Sequence, residues 1–293
     1  MPFLQVSLEL EASVCQPAED VLMERGALSV TLQDPGDDPV LEPGVGDAPL
    51  WRRVRVRALF EQDTDAGAIH RALLAELGET AVQDWRIECL KDQPWERAWM
   101  DDFVPMRFGR RLWVCPSTGR VEADDAIVLK LDPGLAFGTG THPTTALCLE
   151  WLDGLDLRGR LLLDYGCGSG ILAVAGLLLG AVRCIGVDND PQALTASRDN
   201  ARRNGVDGHL ALYMPDVVPP RHADVVVANI LSGILVELAP RLADLIRPGG
   251  RIALSGILED QADVVIEAYR GAFDLRRANG RDGWALLVGH RLD

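Results

Sequence analysis

The 293 residues are 47% hydrophobic and 25% charged, the balance of an ordinary globular protein with length for one large or two ordinary domains. A formal net charge of −15 and a pI near 4.7 disfavour nonspecific binding to nucleic-acid backbones or anionic membranes, and suit a small ligand or a basic protein partner. The six cysteines (15, 89, 115, 148, 167, 184) include no Cys-x-x-Cys pair, so free thiols in a reducing compartment are expected rather than disulfides or a metal site. The first residues lack the basic and apolar regions of a signal peptide. The longest apolar stretch, 171–182, contains glycines and is too short to span a bilayer. A cytoplasmic protein is expected.

Residues 3–10 alternate as a strand, 17–27 read as a helix, and 27–33 return to strand character. A loop rich in Pro, Gly and Asp covers 34–49. The strand 51–60 then places Val54, Val56 and Ala58 on one face and Arg53, Arg55 and Arg57 on the other. An amphipathic helix over 65–77 carries Ile69, Leu73, Leu74 and Leu77, and 82–90 is a further strand. This β-α-β-β-α-β order predicts a ferredoxin-like α+β domain over 1–92, with its arginine face open as a solvated surface or a docking surface. Residues 93–104, where Trp95 and Trp99 mix with charges, are expected to be a linker to a second domain over 105–293.

That second domain starts with short strands at 112–116 and 127–131. The segment 132–145 is too rich in Gly, Thr and Pro for a regular element, and it leads into a helix over 144–155. Then comes the unit that organises the chain. Leu161-Leu-Leu-Asp-Tyr-Gly-Cys-Gly-Ser-Gly170 is a buried strand turning sharply into the helix 171–179, and a second strand, 182–187, ends on Asp188. Glycine lets the backbone turn through unusual φ values and approach a ligand closely, while an acid about 20 residues on can accept from ribose hydroxyls. The spacing is Gly-x-Gly-x-Gly, not the Gly-x-Gly-x-x-Gly of dinucleotide enzymes.

A helix capped by Asp190-Pro191 runs to about 204, followed by strands at 209–214 and 223–230. The helix 232–246 is expected to break or restart near Pro240. Pro248-Gly-Gly250 turns into a strand at 251–255, a helix covers 259–271, and the strands 273–278 and 284–289 close a hairpin. Five βα alternations with that hairpin predict a seven-stranded, Rossmann-like sheet of the class I methyltransferase kind, parallel except for one strand.

Ligands of open α/β sheets bind beyond the carboxyl ends of the strands, where the glycine loop, Asp188 and Asn229-Ile-Leu231 fall. Asp164 and the loop are expected to meet an amino-acid portion, Asp188 the ribose, and Asp216 the adenine, against the alternative that Asp216 is a plain turn residue. Asn229, an amide ending an apolar strand, needs partners. His142 is expected to satisfy local hydrogen bonds rather than act as a base, and Trp284 to pack the hairpin.

Several stretches carry a family likeness. Asp132-Pro-Gly-Leu-Ala-Phe-Gly-Thr-Gly-Thr-His-Pro-Thr-Thr145 resembles the signature loop of the PrmA family, and Trp95-Glu-Arg-Ala-Trp99, Asp164-Tyr-Gly-Cys-Gly-Ser-Gly170 and Val227-Ala-Asn-Ile-Leu231 match it too. The resemblance implies an S-adenosyl-L-methionine-dependent methyltransferase that trimethylates the N-terminal α-amine and lysine ε-amines of the eleventh protein of the large ribosomal subunit. It implies donor-binding positions at Thr145, Gly166, Asp188 and Asn229, to which Asp164, Gly168, Asp216 and Phe137, Gly138 and Thr139 of the signature loop are added as candidates. Asn229 is the candidate catalytic residue, as a group that orients the amine. No metal, no DNA and no membrane are expected, and the family suggests a monomer. Ser232-Gly-Ile-Leu235 departs from the Ala-Gly-Pro-Leu expected there, which affects the substrate side rather than the donor contacts. The rivals are a methyltransferase acting on adenine or a glutamine amide, disfavoured because Asn229-Ile-Leu-Ser232 replaces Asn/Asp-Pro-Pro-Tyr, and a non-catalytic ribosome-associated module with a vestigial pocket.

Overall fold

The computed structural model describes residues 3–36, 51–78, 80–90, 104–132, 142–218 and 222–293. It divides into two compact units, Met1–Trp95 and Glu96–Asp293. Of the expected linker 93–104, only Val104 falls within the described residues.

The first unit runs β1 (Phe3–Glu11), α1 (Cys15–Glu24), β2 (Ser29–Gln33), β3 (Arg53–Glu61), α2 (Ala66–Leu77) and β4 (Gln83–Leu90). The strands lie in the order β2-β3-β1-β4, every neighbouring pair antiparallel, which is the ferredoxin-like arrangement. Register decides which face is buried. Val6 lies opposite Ala58 and Leu8 opposite Val56, and all four pack with Leu22 of α1 and Leu73 of α2 in one apolar cluster. Alternation sends the arginines of β3 to the other face, as expected. There Glu9 of β1 is nearly buried between two of them, accepting from Arg53 at 2.7 Å and Arg55 at 2.5 Å. Arg57 is exposed and makes no ion pair among the described residues.

The second unit starts with a three-stranded sheet, β5 (Met106–Phe108), β6 (Leu112–Cys115) and β7 (Ile127–Lys130). The three-residue β5 was not expected. It exists because the turn between β5 and β6 is tied to α3 (Pro143–Asp153), where the buried Asp153 carboxylate accepts from the Arg110 amide at 2.6 Å. The main sheet contains β8 (Leu161–Tyr165), β9 (Arg183–Val187), β10 (Leu210–Tyr213), β11 (Ala223–Asn229), β12 (Ile246–Leu258), β13 (Phe273–Arg281) and β14 (Trp284–Arg291). Their order is β10-β9-β8-β11-β12-β14-β13, and β14 alone runs against its neighbours. The chain reverses between β8 and β11, so the carboxyl ends of those two central strands flank a crevice. One face of the sheet is covered by α3 and α4 (Ile171–Leu178), the other by α6 (Ser232–Leu245) and α7 (Ala262–Tyr269); α5 (Pro191–Arg203) follows β9.

Three expectations change. The helix 232–245 passes through Pro240 unbroken, since Leu235, Ala239 and Leu242 bury its apolar stripe and outweigh the backbone bond lost to proline. Extended structure begins at Ile246 and includes Pro248-Gly-Gly250 as an irregularity in register between Ala223 and Val225 of β11. The helix expected over 259–271 is only Ala262–Tyr269. The closing hairpin turns at Asp282 and Gly283, both with positive φ, which suits a two-residue turn.

Candidate active site

The loop leaving β8 is held from three sides. The amides of Gly166 and Cys167 donate to the carbonyl of Val187, at 2.7 and 2.9 Å, so the loop rides on the end of β9. On its far side the buried Ser197 hydroxyl donates to the Gly168 carbonyl (2.9 Å) and the Asn200 amide to the Ser169 carbonyl (2.8 Å). Gly166, Gly168 and Gly170 all have positive φ. At 166 a Cβ would also collide with the Cγ2 of Ile230, so the loop and the end of β11 touch only because glycine is there.

This construction opens a cleft of about 400 Å³, within the range of small-ligand sites. Thr145, Gly166, Gly168, Asp188 and Asn229, drawn from four separate stretches of chain, all line it. Asp188 is fixed by two backbone donors, the Gly168 amide to Oδ2 at 2.8 Å and the Asp190 amide to Oδ1 at 3.0 Å. Asn229 Nδ2 donates to Thr145 Oγ1 at 3.3 Å, linking β11 to the first turn of α3. No lysine, arginine or histidine lines the cleft among the described residues, and Asp188 is the charged group on its walls. A carboxylate with lone pairs to spare, glycine backbone and an amide suit a nucleoside carrying a cationic amino-acid portion.

Asp164 is not on the wall. It is wholly buried beneath the loop, where its Oδ2 accepts from the Ala173 amide at 3.0 Å, and burial pushes its carboxyl up to about 7. The expectation of direct contact fails because a residue so near the end of β8 points into the layer between sheet and helix. Asp216 is exposed at the rim, next to Pro215, which does line the cleft. Phe137, Gly138 and Thr139 lie outside the described residues. His142 is the N-cap of α3, its Nδ1 accepting from the Thr144 amide, and burial lowers its pKa. Its ring also meets Trp284 edge-on, with centroids 5.0 Å apart.

Walls that sequence reading did not single out include Tyr165, Pro215, Ile234 and Leu238. In a sequence these look like core residues, and no local signal separates an apolar cleft wall from an apolar interior. Ser197 and Asn200 did leave a signal: polar residues three apart on the buried stripe of a helix need polar partners.

Sheet order, reversed β14 and a cleft at the carboxyl ends define a class I methyltransferase fold. The chain belongs to the family described as ribosomal protein L11 methyltransferase (PrmA), whose model matches residues 2–292. It is 57% identical to the ribosomal protein L11 methyltransferase of Azotobacter vinelandii over 292 residues, covering 99% of this chain and 100% of that one. It is 56% identical to the protein of the same name from Pseudomonas aeruginosa, with 99% of each chain covered. Among solved structures it is similar to a ribosomal protein L11 methylase from Lactobacillus delbrueckii subsp. bulgaricus, with a TM-score of 0.60 and 30% identity over 65% of this chain and 100% of that one.

Proposed function

We propose that this protein transfers methyl groups from S-adenosyl-L-methionine to the N-terminal α-amine and lysine ε-amines of ribosomal protein L11, acting as a cytoplasmic monomer. The observation that carries this reading is a full-length family match joined to a cleft whose walls hold a fixed carboxylate, glycine backbone and, among the described residues, no cation. Among the described residues no helix is long and apolar enough to cross a membrane.

S-adenosylmethionine supplies, when bound, a methyl group already activated by its sulfonium. The protein then has to bind, orient and exclude water. Asp188 is the acceptor for ribose hydroxyls, since each of its oxygens keeps a lone pair after taking one backbone donor. Gly166 and Gly168 let the amino-acid portion approach the loop backbone. Asp216 sits at the adenine end, and Phe137, Gly138 and Thr139 are assigned to the donor through the family resemblance. Asn229 gives one of its two amide hydrogens to Thr145, leaving Oδ1 to accept from the acceptor amine and aim its lone pair at the methyl group.

The attacking amine must be neutral. A free lysine has a pKa of about 10.4 and an α-amine about 8, and a water-poor site next to a positive donor lowers both. Among the described residues no wall residue is placed to act as a base. On this reading the lone pairs that Asp188 has left go to the ribose, and His142 is committed to a helix cap, so the proton leaves to water. A single side chain whose removal abolished lysine methylation, with donor affinity intact and activity restored at high pH, would overturn this mechanism.

The ferredoxin-like unit is the part that recognises the ribosomal protein, with Arg57 on its open face available to a partner. The deciding experiment incubates the protein and tritiated S-adenosylmethionine with dissociated ribosomal proteins and locates the label by mass spectrometry. Label on the amines of L11 supports the proposal. Donor binding with no transfer, or label on nucleic acid or a glutamine amide, refutes it.

A further inference from the structure

Asp164 is the most isolated carboxyl among the described residues. Its side chain is 0% exposed, and while Oδ2 accepts from the Ala173 amide, Oδ1 has no hydrogen-bond partner. An ionised carboxylate ordinarily takes several donors, so this environment suits the neutral acid. The surrounding groups agree. Cys148 on α3, Cys167 in the glycine loop and Cys184 on β9 are buried thiols that burial holds in the neutral form, so none of them offers a compensating positive charge. On the β11 side the register neighbour is apolar Val227. The charged group that acts on Asp164 is Asp188, of the same sign. Burial and that repulsion together place the carboxyl near 7.

Holding Ala173 does not require an acid, because an asparagine oxygen would serve. What an acid adds is a charge that can be switched on directly beneath the donor loop. We propose that Asp164 is protonated while the cleft is empty and releases its proton to solvent when the cationic methyl donor binds, so that donor binding is coupled to proton release. The inference rests on the methyl-donor reading of the cleft. The balance is simple: neutral acid plus cationic donor gives carboxylate plus bound donor plus one proton in solution. A unit positive charge several ångström away in a protein interior lowers a carboxyl pKa by on the order of one unit or more.

The sign follows. Above about 7 the acid is already ionised and nothing is released. Below that, down to the lower pKa of the complex, a proton leaves on binding and donor affinity weakens as pH falls. The reaction product, S-adenosylhomocysteine, has a neutral thioether in place of the sulfonium and releases less. His142, whose pKa burial lowers, has little proton to contribute.

Isothermal titration of the intact protein with S-adenosylmethionine and with S-adenosylhomocysteine tests this, at pH 6.5 and in two buffers of different ionisation enthalpy. The expected result is release of roughly half a proton or more with the donor, distinctly less with the product, and loss of that difference in Asp164→Asn. Equal heats in the two buffers, equal release by both ligands, or unchanged release in the variant overturns the proposal. If the variant does not fold, the comparison of the two ligands on the unaltered protein decides. Failure of either ligand to bind sinks the methyl-donor reading itself, whereas binding without proton release sinks only this inference.

Discussion

Asn229 and Asp188 line the same cleft but differ in what they have left to offer. Asn229 uses one amide hydrogen on Thr145 and Asp188 takes one backbone donor on each oxygen; on the proposed reading the Asn229 oxygen serves the acceptor amine and the remaining Asp188 lone pairs the methyl donor. Their removal should therefore separate in kinetics. Asp188→Ala is expected to weaken binding of the methyl donor by roughly tenfold to a hundredfold, the cost of about 1.5–3 kcal/mol for hydrogen bonds to a charged group. Calorimetry with S-adenosylhomocysteine reads it directly. Asn229→Ala should act mainly on the chemical step, lowering kcat on the ribosomal protein by about ten- to a hundredfold, the cost of losing one orienting hydrogen bond. A variant at 229 that lost donor affinity and kept kcat would make Asn229 a binding group only.

At the scale of elements, the site depends on how closely the loop after β8 meets the end of β11. Gly166 has φ +78°, and its missing Cβ is what admits Ile230. Gly166→Ala is expected to destabilise the protein by about 1–3 kcal/mol, the usual cost of a non-glycine residue in a strained backbone region, and by more from the collision. Ile230→Ala in the same chain should relieve the collision part and leave the backbone part, a coupling that denaturant melts of the unaltered protein and the three variants of a double-mutant cycle would show. This contact also marks where sequence reading stops. The glycines, Asp188 and Asn229 were legible because each is an odd residue for its place: a turn without Cβ, an acid at a strand end, an amide after an apolar run. Sequence places Ile230 at the site with Asn229, but its contact with Gly166 was not legible, because that contact comes from a glycine some sixty residues earlier brought next to it by sheet order. The same holds for β5, too short to have a periodicity and held by Asp153 from a distant helix, and for Pro240, where tertiary burial overrides a local helix breaker. Asp164 was legible as important and misread in role. Sequence put it near the ligand, and only three-dimensional burial shows that it lies behind the loop.

For the whole molecule, recognition and stability give two further tests. Arg57 is exposed on the open face of the first unit without an ion pair among the described residues, while Arg53 and Arg55 share Glu9. Reversing its charge with Arg57→Glu should raise KM for the ribosomal protein several-fold and leave calorimetric donor affinity unchanged, since a rim charge chiefly affects encounter. An unchanged KM would move recognition off this face. The stability test comes from Asp164, whose carboxyl stands near 7 in the folded protein and about 3.9 in an unfolded chain. A raised folded pKa means that the folded state binds the proton more tightly, so the contribution is fully present below about pH 4 and is lost as pH rises to about 7. Three units correspond to at most about 4 kcal/mol. Asp164→Asn keeps an acceptor for Ala173 but has no proton to lose. The free-energy difference between the two proteins should thus shift in favour of the variant across pH 4–7 and stay flat above, as read from urea midpoints at constant ionic strength. Other titrating groups change both proteins alike and cancel in that difference. A difference that stayed constant across the range would mean that Asp164 is ionised in the folded protein throughout, with its second oxygen satisfied by a donor.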